Sequence, residues 1–238
     1  MKSPARVEEI RGRLQALGDP QRAQALQRFF KTGPGEYGEG DIFLGICTPE
    51  IRKLVIQYQK LSPGETLCLL QSSIHESRAL GLAILVRAYS RGDAALQAEI
   101  YDLYLQNTQF INSWDLVDLS AEHIVGRHLR HSSRAPLYTL AGSKLLWERR
   151  IAIMATFHYI KHSDFAETLQ LARILLQDPE DLIHKAVGWM LREIGKRDRT
   201  TEEGFLKTHY RSMPRTMLRY AIEKFPEDLR QDYLKSKA

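Results

Sequence analysis

The chain has few of the features that staple or anchor a protein. Of its 238 residues only Cys47 and Cys68 are cysteine. Two thiols cannot build a thiolate metal cluster, and they give no disulfide framework, which suits a reducing, intracellular compartment. No apolar run approaches the roughly 20 residues that a bilayer-spanning helix needs. The opening MKSPARVEEI has no apolar stretch, so no secretory signal is expected. Period-two alternation is scarce and never sits between hairpin signals, which argues against a sheet. No linker rich in Pro, Gly or Ser divides the chain. Low complexity is confined to Gly33–Gly40, GPGEYGEG. Residues 1–238 therefore read as one domain, long enough to bury a core unaided.

What is present is helical. Hydrophobic residues make up 43% and charged residues 26%, as in ordinary globular chains. Asp19-Pro20, Thr48-Pro49-Glu50, Ser62-Pro63-Gly64-Glu65 and Asp178-Pro179-Glu180-Asp181 each place a capping oxygen before a proline, with acids in most of the first turns. Thr200 with Glu203 reads as a capping box. About a dozen helices of ordinary length are joined by short polar turns. Such a series stacks as antiparallel pairs, in an irregular bundle or in an α-solenoid of HEAT type. Repeats are inferred from helix number and spacing, because sequence self-similarity is poor. A solenoid would have a concave face lined by one helix of each pair.

The charge is unevenly placed. Lys and Arg number 34 and Asp and Glu 29, a net of +5. Lys185–Arg219 alone holds nine basic residues against four acids, so the remainder balances. A neutral body with one basic segment suits an anionic polymer. A solvated cationic surface is the other reading.

Several signals fail on context. Gly33-Pro-Gly35-Glu-Tyr-Gly38 has the letters of a dinucleotide fingerprint. A helical pattern precedes it, however, and acids follow where the phosphates would lie. It reads as a flexible connector. There is no Walker loop. His158 and His162 have zincin spacing, but Tyr159 replaces the glutamate and no third ligand is evident, so no metal is expected. His128 and His131 flank Arg130 and read as surface groups.

Three constellations can carry chemistry. After Asp178-Pro179, the residues Ile183, Ala186, Val187, Met190, Leu191 and Ile194 form one apolar helical stripe. Lys185, Trp189, Arg192 and Lys196 cluster on the opposite side. Trp189 either packs on a neighbouring helix or meets a base in a basic groove. In Ser113-Trp-Asp-Leu-Val-Asp118, Ser113 suits a cap and Asp115 suits the first turn. Asp118 has Trp114, Asp115, Ala121 and Glu122 as helical neighbours, so no local cation accounts for it. It is an exposed aspartate beside a half-buried tryptophan, or a reactive carboxylate. In Trp147-Glu-Arg-Arg150, Arg150 shares a face with Leu146, Ile153, Met154 and Phe157. It needs an internal carboxylate, the default, or a bound phosphate.

These motifs resemble the DNA alkylation repair glycosylases, the AlkD-like HEAT-repeat family. The resemblance rests on Tyr37-Gly-Glu-Gly-Asp41 with Phe43-Leu-Gly-Ile46, Trp114-Asp-Leu-Val-Asp118, Trp147-Glu-Arg-Arg150, Lys185-Ala-Val-Gly-Trp-Met-Leu-Arg-Glu193 and Met213–Pro226. Each is weak alone; their order over nearly the whole chain is specific. The resemblance implies an α-solenoid of HEAT-like pairs whose concave basic face holds duplex DNA and releases N3- and N7-alkylated purines. It implies a catalytic role for Asp118, lesion contacts from Trp114 and Trp189, and a backbone contact from Arg150. Arg192 looks like another groove residue. We further expect Tyr37, Lys185, Lys196, Arg197, Arg215 and Arg219 on DNA, with Arg149 competing with Arg150 for that face. The family cleaves without extruding the base, unlike usual glycosylases. Members lacking the aspartate and the arginine do not cleave, and this chain keeps both. We further expect a protein without a cofactor, cytoplasmic and associated with the nucleoid, and a one-sided DNA groove favours a monomer.

The chemistry agrees with the residue types. Alkylation at N3 or N7 makes the purine cationic, so it leaves without protonation. One carboxylate then does what glycosidases do with two. A non-catalytic binder of distorted or branched DNA shares the same fold and charge. A protein-interaction scaffold is the further alternative.

Overall fold

The computed structural model describes residues 5–235, and those residues are helical as expected, with one isolated bridge between Ile42 and Ile74. By compactness the chain divides into Met1–Ser120 and Ala121–Ala238. Among the described residues no helix is long and apolar enough to cross a membrane.

The first unit contains α1 (Ala5–Ala16), α2 (Pro20–Phe29), α3 (Thr48–Gln57), α4 (Pro63–Leu70), α5 (His75–Arg91), α6 (Ala94–Gln106) and α7 (Trp114–Ser120). The long α5 is its centre, touching α3, α4, α6 and α7. Val7, Ile10, Leu14, Leu54, Leu69, Leu80 and Ile84 close its core. Between α2 and α3 the chain turns sharply at Gly45, which has φ +83°. A Cβ there would lie 2.2 Å from the Asp19 carbonyl oxygen, so only glycine fits.

The second unit opens on a π-turn at Glu122–Gly126, where the Gly126 amide donates to the Ala121 carbonyl at 2.9 Å. It continues with α8 (Arg127–Leu129), α9 (Ala135–Ala141), α10 (Leu146–Ala155), α11 (Phe157–Ile160) and α12 (Ala166–Ile174). Then come α13 (Asp181–Gly195), α14 (Arg199–His209), α15 (Arg215–Ala221) and α16 (Glu227–Leu234). The expected stripe of α13 is wholly buried: Ile183, Ala186, Val187, Met190, Leu191 and Ile194 are all 0% exposed. It packs against α10, α12, α14 and α15.

The caps follow the sequence unevenly. Asp19 accepts the Gln21 and Arg22 amides, and Ser62 with Glu65 makes the full capping box. Thr48 does not cap; it is the first residue of α3, behind Cys47. The box expected at Thr200 and Glu203 is absent, because Asp198 caps α14 by accepting from both the amide and the hydroxyl of Thr201. Glu203 pairs with Arg199 instead. A carboxylate two residues earlier is the stronger acceptor for those donors. Nor does Asp178 cap α13, which starts at Asp181.

Gly126 brings the π-turn against α10 and α11: a Cβ there would lie 2.1 Å from the Ala155 carbonyl oxygen and 2.9 Å from His158 Cβ. Gly12, inside α1, has nothing within 4 Å. We expect Gly126→Ala to destabilise the protein by about 3 kcal/mol. Gly12→Ala should stabilise it by up to about 1 kcal/mol. Urea denaturation of the two variants tests this, and a Gly126→Ala protein as stable as wild type refutes the packing account.

Candidate functional site

In the first unit, α7 starts at Trp114 and carries Asp118 one turn later, so the indole and the carboxylate share a face. Both are half-buried. The charge of Asp118 is felt at Tyr104, a buried phenol pushed up first by burial, whose hydroxyl shares a 2.9 Å hydrogen bond with Ser120. Trp114 lies flat on Phe30, with ring centroids 5.3 Å apart and planes 9° apart. Phe30 stacks on Phe43, and Phe43 on the His75 ring at 4.3 Å. Phe29, 63% exposed, sets its edge against Trp114 at 6.1 Å. The stack borders a cavity of about 420 Å³ floored by His75, Glu76 and Asp115.

His75 anchors this arrangement. Its ring is 3% exposed; Nδ1 lies 2.9 Å from Asp41 and Nε2 lies 2.8 Å from Asp115. Burial alone would lower its pKa, but the hydrogen bonds and charges of Asp115 and Asp41 outweigh that and raise it from 6.5 to about 9. The imidazolium thus donates to both carboxylates at neutral pH. Asp41 also pairs with Arg78, which donates to the Ser72 carbonyl. Burial pushes Asp115 up; His75 more than reverses this and holds it below the usual range. Asp115 also accepts from the Ser113 hydroxyl at 2.7 Å. Its role is therefore to tie α7 to α5, beyond the dipole role read from its position. Neither Phe29, Phe30 nor His75 stands out in the sequence. The signal available is Phe29-Phe30 at a helix end, with Asp41 and His75 both beside apolar positions.

The loop that resembles a dinucleotide fingerprint holds its own acids. The Gly33 and Gly35 amides donate to Glu36 and Glu39, each at 2.9 Å. It is a tied turn rather than a flexible connector. Tyr37 lies half-buried within it.

The second unit holds the net positive charge: twenty-one basic residues against fifteen acids, compared with thirteen against fourteen in the first. On α10, Arg150 is 4% exposed and donates to the Leu182 carbonyl at 2.6 Å. A main-chain carbonyl is thus one of the partners of this buried guanidinium. Arg149 is committed internally. It grips the buried Asp178 with Nε and Nη2, and donates to the Ser143 and Lys144 carbonyls. These contacts clamp two turns together.

On α13, Trp189 is half-buried, 6.1 Å from the Phe157 ring, and its Nε1 donates to Glu193 at 3.2 Å. One edge of the indole packs on a neighbouring helix and the ring is only half-buried. Lys196 and Arg197 also converge on Glu193. Burial raises the Glu193 pKa, and these cations with the indole bring it below the usual value. Lys185 pairs with Asp181, and Arg192 with Glu223. Arg215 and Arg219 stand exposed on α15 and make no ion pair among the described residues. The exposed pair of Lys185 with Asp181 is worth little and exchanges readily, so Lys185, like Arg215 and Arg219, is open to a competing anion.

The His75 anchor makes a pH-dependent contribution to stability. Its pKa is raised on folding, so the contribution is complete below about pH 6.5 and is lost as pH rises through about 9. Wild type should lose stability over that window relative to His75→Gln, by up to about 3 kcal/mol. Thermal melts of the two proteins between those values check it. Parallel curves would show that the charged ring contributes nothing.

No curated protein matches the chain. A solved structure from Enterococcus faecalis, described as a predicted DNA alkylation repair enzyme, is similar at a TM-score of 0.67 with 17% identity. The match covers 88% of this chain and 97% of the other, and at that identity it shows the fold alone. The family model described as DNA alkylation repair enzyme matches residues 10–225. With nearly its whole length inside that match, the chain belongs to the DNA alkylation repair enzyme family.

Proposed function

We propose that the protein is a monofunctional DNA glycosylase that hydrolyses the N-glycosidic bond of cationic N3- and N7-alkylated purines, such as 3-methyladenine and 7-methylguanine, in duplex DNA. The observation that carries this reading is the division of labour on α7. Asp115 is tied to His75 and Ser113, while the half-buried Asp118 stands one turn from the half-buried Trp114 and is the carboxylate proposed for the chemistry. A repair family acting on alkylated DNA supports the choice of substrate.

The reaction needs little from the protein. The C1′–N bond breaks, its electron pair neutralises the cationic purine, and the base departs. Positive charge develops on the sugar, where Asp118 stabilises it. The same carboxylate orients a water and receives its proton as the oxygen adds to C1′. Trp114 and Trp189 line the sugar and add cation–π attraction, on the order of 1 kcal/mol each. Arg150 holds the backbone beside the lesion. Tyr37, Lys185, Arg192, Lys196, Arg197, Arg215 and Arg219 supply sequence-independent affinity that falls with salt. The protein works as a monomer and without a cofactor. A Schiff-base step is not part of this reading, so strand nicking is not expected. The alternative, a non-catalytic binder of distorted DNA, differs in base release alone.

Asp118→Asn should fold and bind duplex DNA but lose base release by about a hundredfold or more. Chromatography of bases freed from methylated duplex decides it, and normal release by the variant sinks the mechanism. Trp189→Ala should slow excision about fivefold while affecting binding to undamaged duplex less. Equal losses in both would make Trp189 a packing residue.

A further inference from the structure

The chain outside Lys185–Arg219 is balanced in total but not in place. Glu122–His162 carries seven basic residues, two acids and five of the eight histidines. The fold gathers part of this excess at one point of the second unit. Gly126 seats the π-turn against His158 Cβ, which sets α8 beside α11. Arg127 and Arg130, three apart in continuous helical backbone, share a face. On the facing element, the His158 and His162 rings stand with centroids 4.8 Å apart. His162 Nδ1 is 2.7 Å from the His158 carbonyl, so that nitrogen donates and Nε2 is the ring's other polar atom. Arg127 and His162 are exposed; Arg130 and His158 are half-buried.

The charges around His158 share one sign. Burial lowers its pKa first, then His162, Arg130, Arg127 and Lys161 add to the effect, bringing it to about 4. The acids on these elements are engaged at their edges: Glu122 with Lys161, and Asp164 with Arg134. A cluster of cations and imidazoles across two helices repels a metal ion. It suits an oxyanion that accepts from several N–H groups together.

We propose that Arg127, Arg130, His158 and His162 form an anion site that holds a backbone phosphate of duplex DNA, a contact additional to those of α10, α13 and α15. It rests on duplex DNA being the substrate, but not on base release. Two arginines take the two free oxygens of a phosphodiester, His158 offers one N–H, and His162, whose Nδ1–H is committed to the His158 carbonyl, donates from Nε2 when the phosphate draws a proton onto it.

The test is fluorescence anisotropy with undamaged duplex from about 50 to about 200 mM salt, comparing wild type with Arg127→Gln/Arg130→Gln. The variant should bind more weakly, and its slope of log affinity against log salt should be shallower by about one to two. His158→Glu, which adds a carboxylate at the centre, should weaken binding more than His158→Gln. Circular dichroism confirms that each variant folds. Unchanged slopes in folded variants overturn the proposal. Inorganic phosphate, titrated alone and followed by thermal shift, separates the sources. Stabilisation of wild type but not of the double variant, with DNA slopes unchanged, would make this a free-phosphate site and overturn the DNA assignment. Wild type that binds duplex without releasing bases fails as a glycosylase and leaves this proposal standing. Wild type that does not bind duplex ends both.

Discussion

The first unit depends on one buried imidazolium. His75 sits at the first residue of α5 and holds Asp41 on one side and Asp115 on the other. One ring therefore fixes the loop before α3 and the first turn of α7 against the central helix. The cost of burying three ionised groups is offset because each carboxylate also has a second donor, Arg78 or Ser113. The stack from His75 through Phe43 and Phe30 to Trp114 transmits that fixed position to the indole. The candidate carboxylate, Asp118, lies one turn further along the same short helix. A rigid start to α7 is what a site on so short an element requires.

Legibility followed sequence distance. The stripe of α13 and the Ser62–Glu65 box are local patterns, and both stand in the structure as the spacing predicts. The misplaced caps are also local, and fail where two acceptors compete: Asp198 precedes Thr200, and Asp178 is drawn away by Arg149. Trp114, Asp118 and Trp189 were visible because each breaks the expected pattern of its helix. His75 was not. Its partners lie 34 and 40 residues away, and no periodicity links a residue to a partner in another helix. Arg149 and Arg150 were indistinguishable as neighbours. Only the fold shows Arg149 clamped to Asp178 and Arg150 buried against Leu182.

Charge counting was informative at the scale of segments and blind below it. The excess in Lys185–Arg219 is real, yet many of its cations pair with acids one turn away or, for Arg192, with Glu223. The balance elsewhere conceals a first unit with a slight acidic excess and a second unit that is basic in total. The net positive charge is thus a property of the second unit, while the aromatic stack and Asp118 belong to the first.

Glu76 has the arrangement of a bound ion. Its carboxylate accepts the amides of Leu44, Gly45 and Ile46 together, as an anion does in a backbone nest. The loop around Gly45 thus has a ligand built into the chain, covalently tethered one residue after His75. Its concentration never varies, so the loop is never unliganded while α5 is formed. The order of assembly is then constrained: the first turn of α5 must exist before residues 44–46 can settle, and whatever frays that turn releases the loop and the imidazolium anchor in one step.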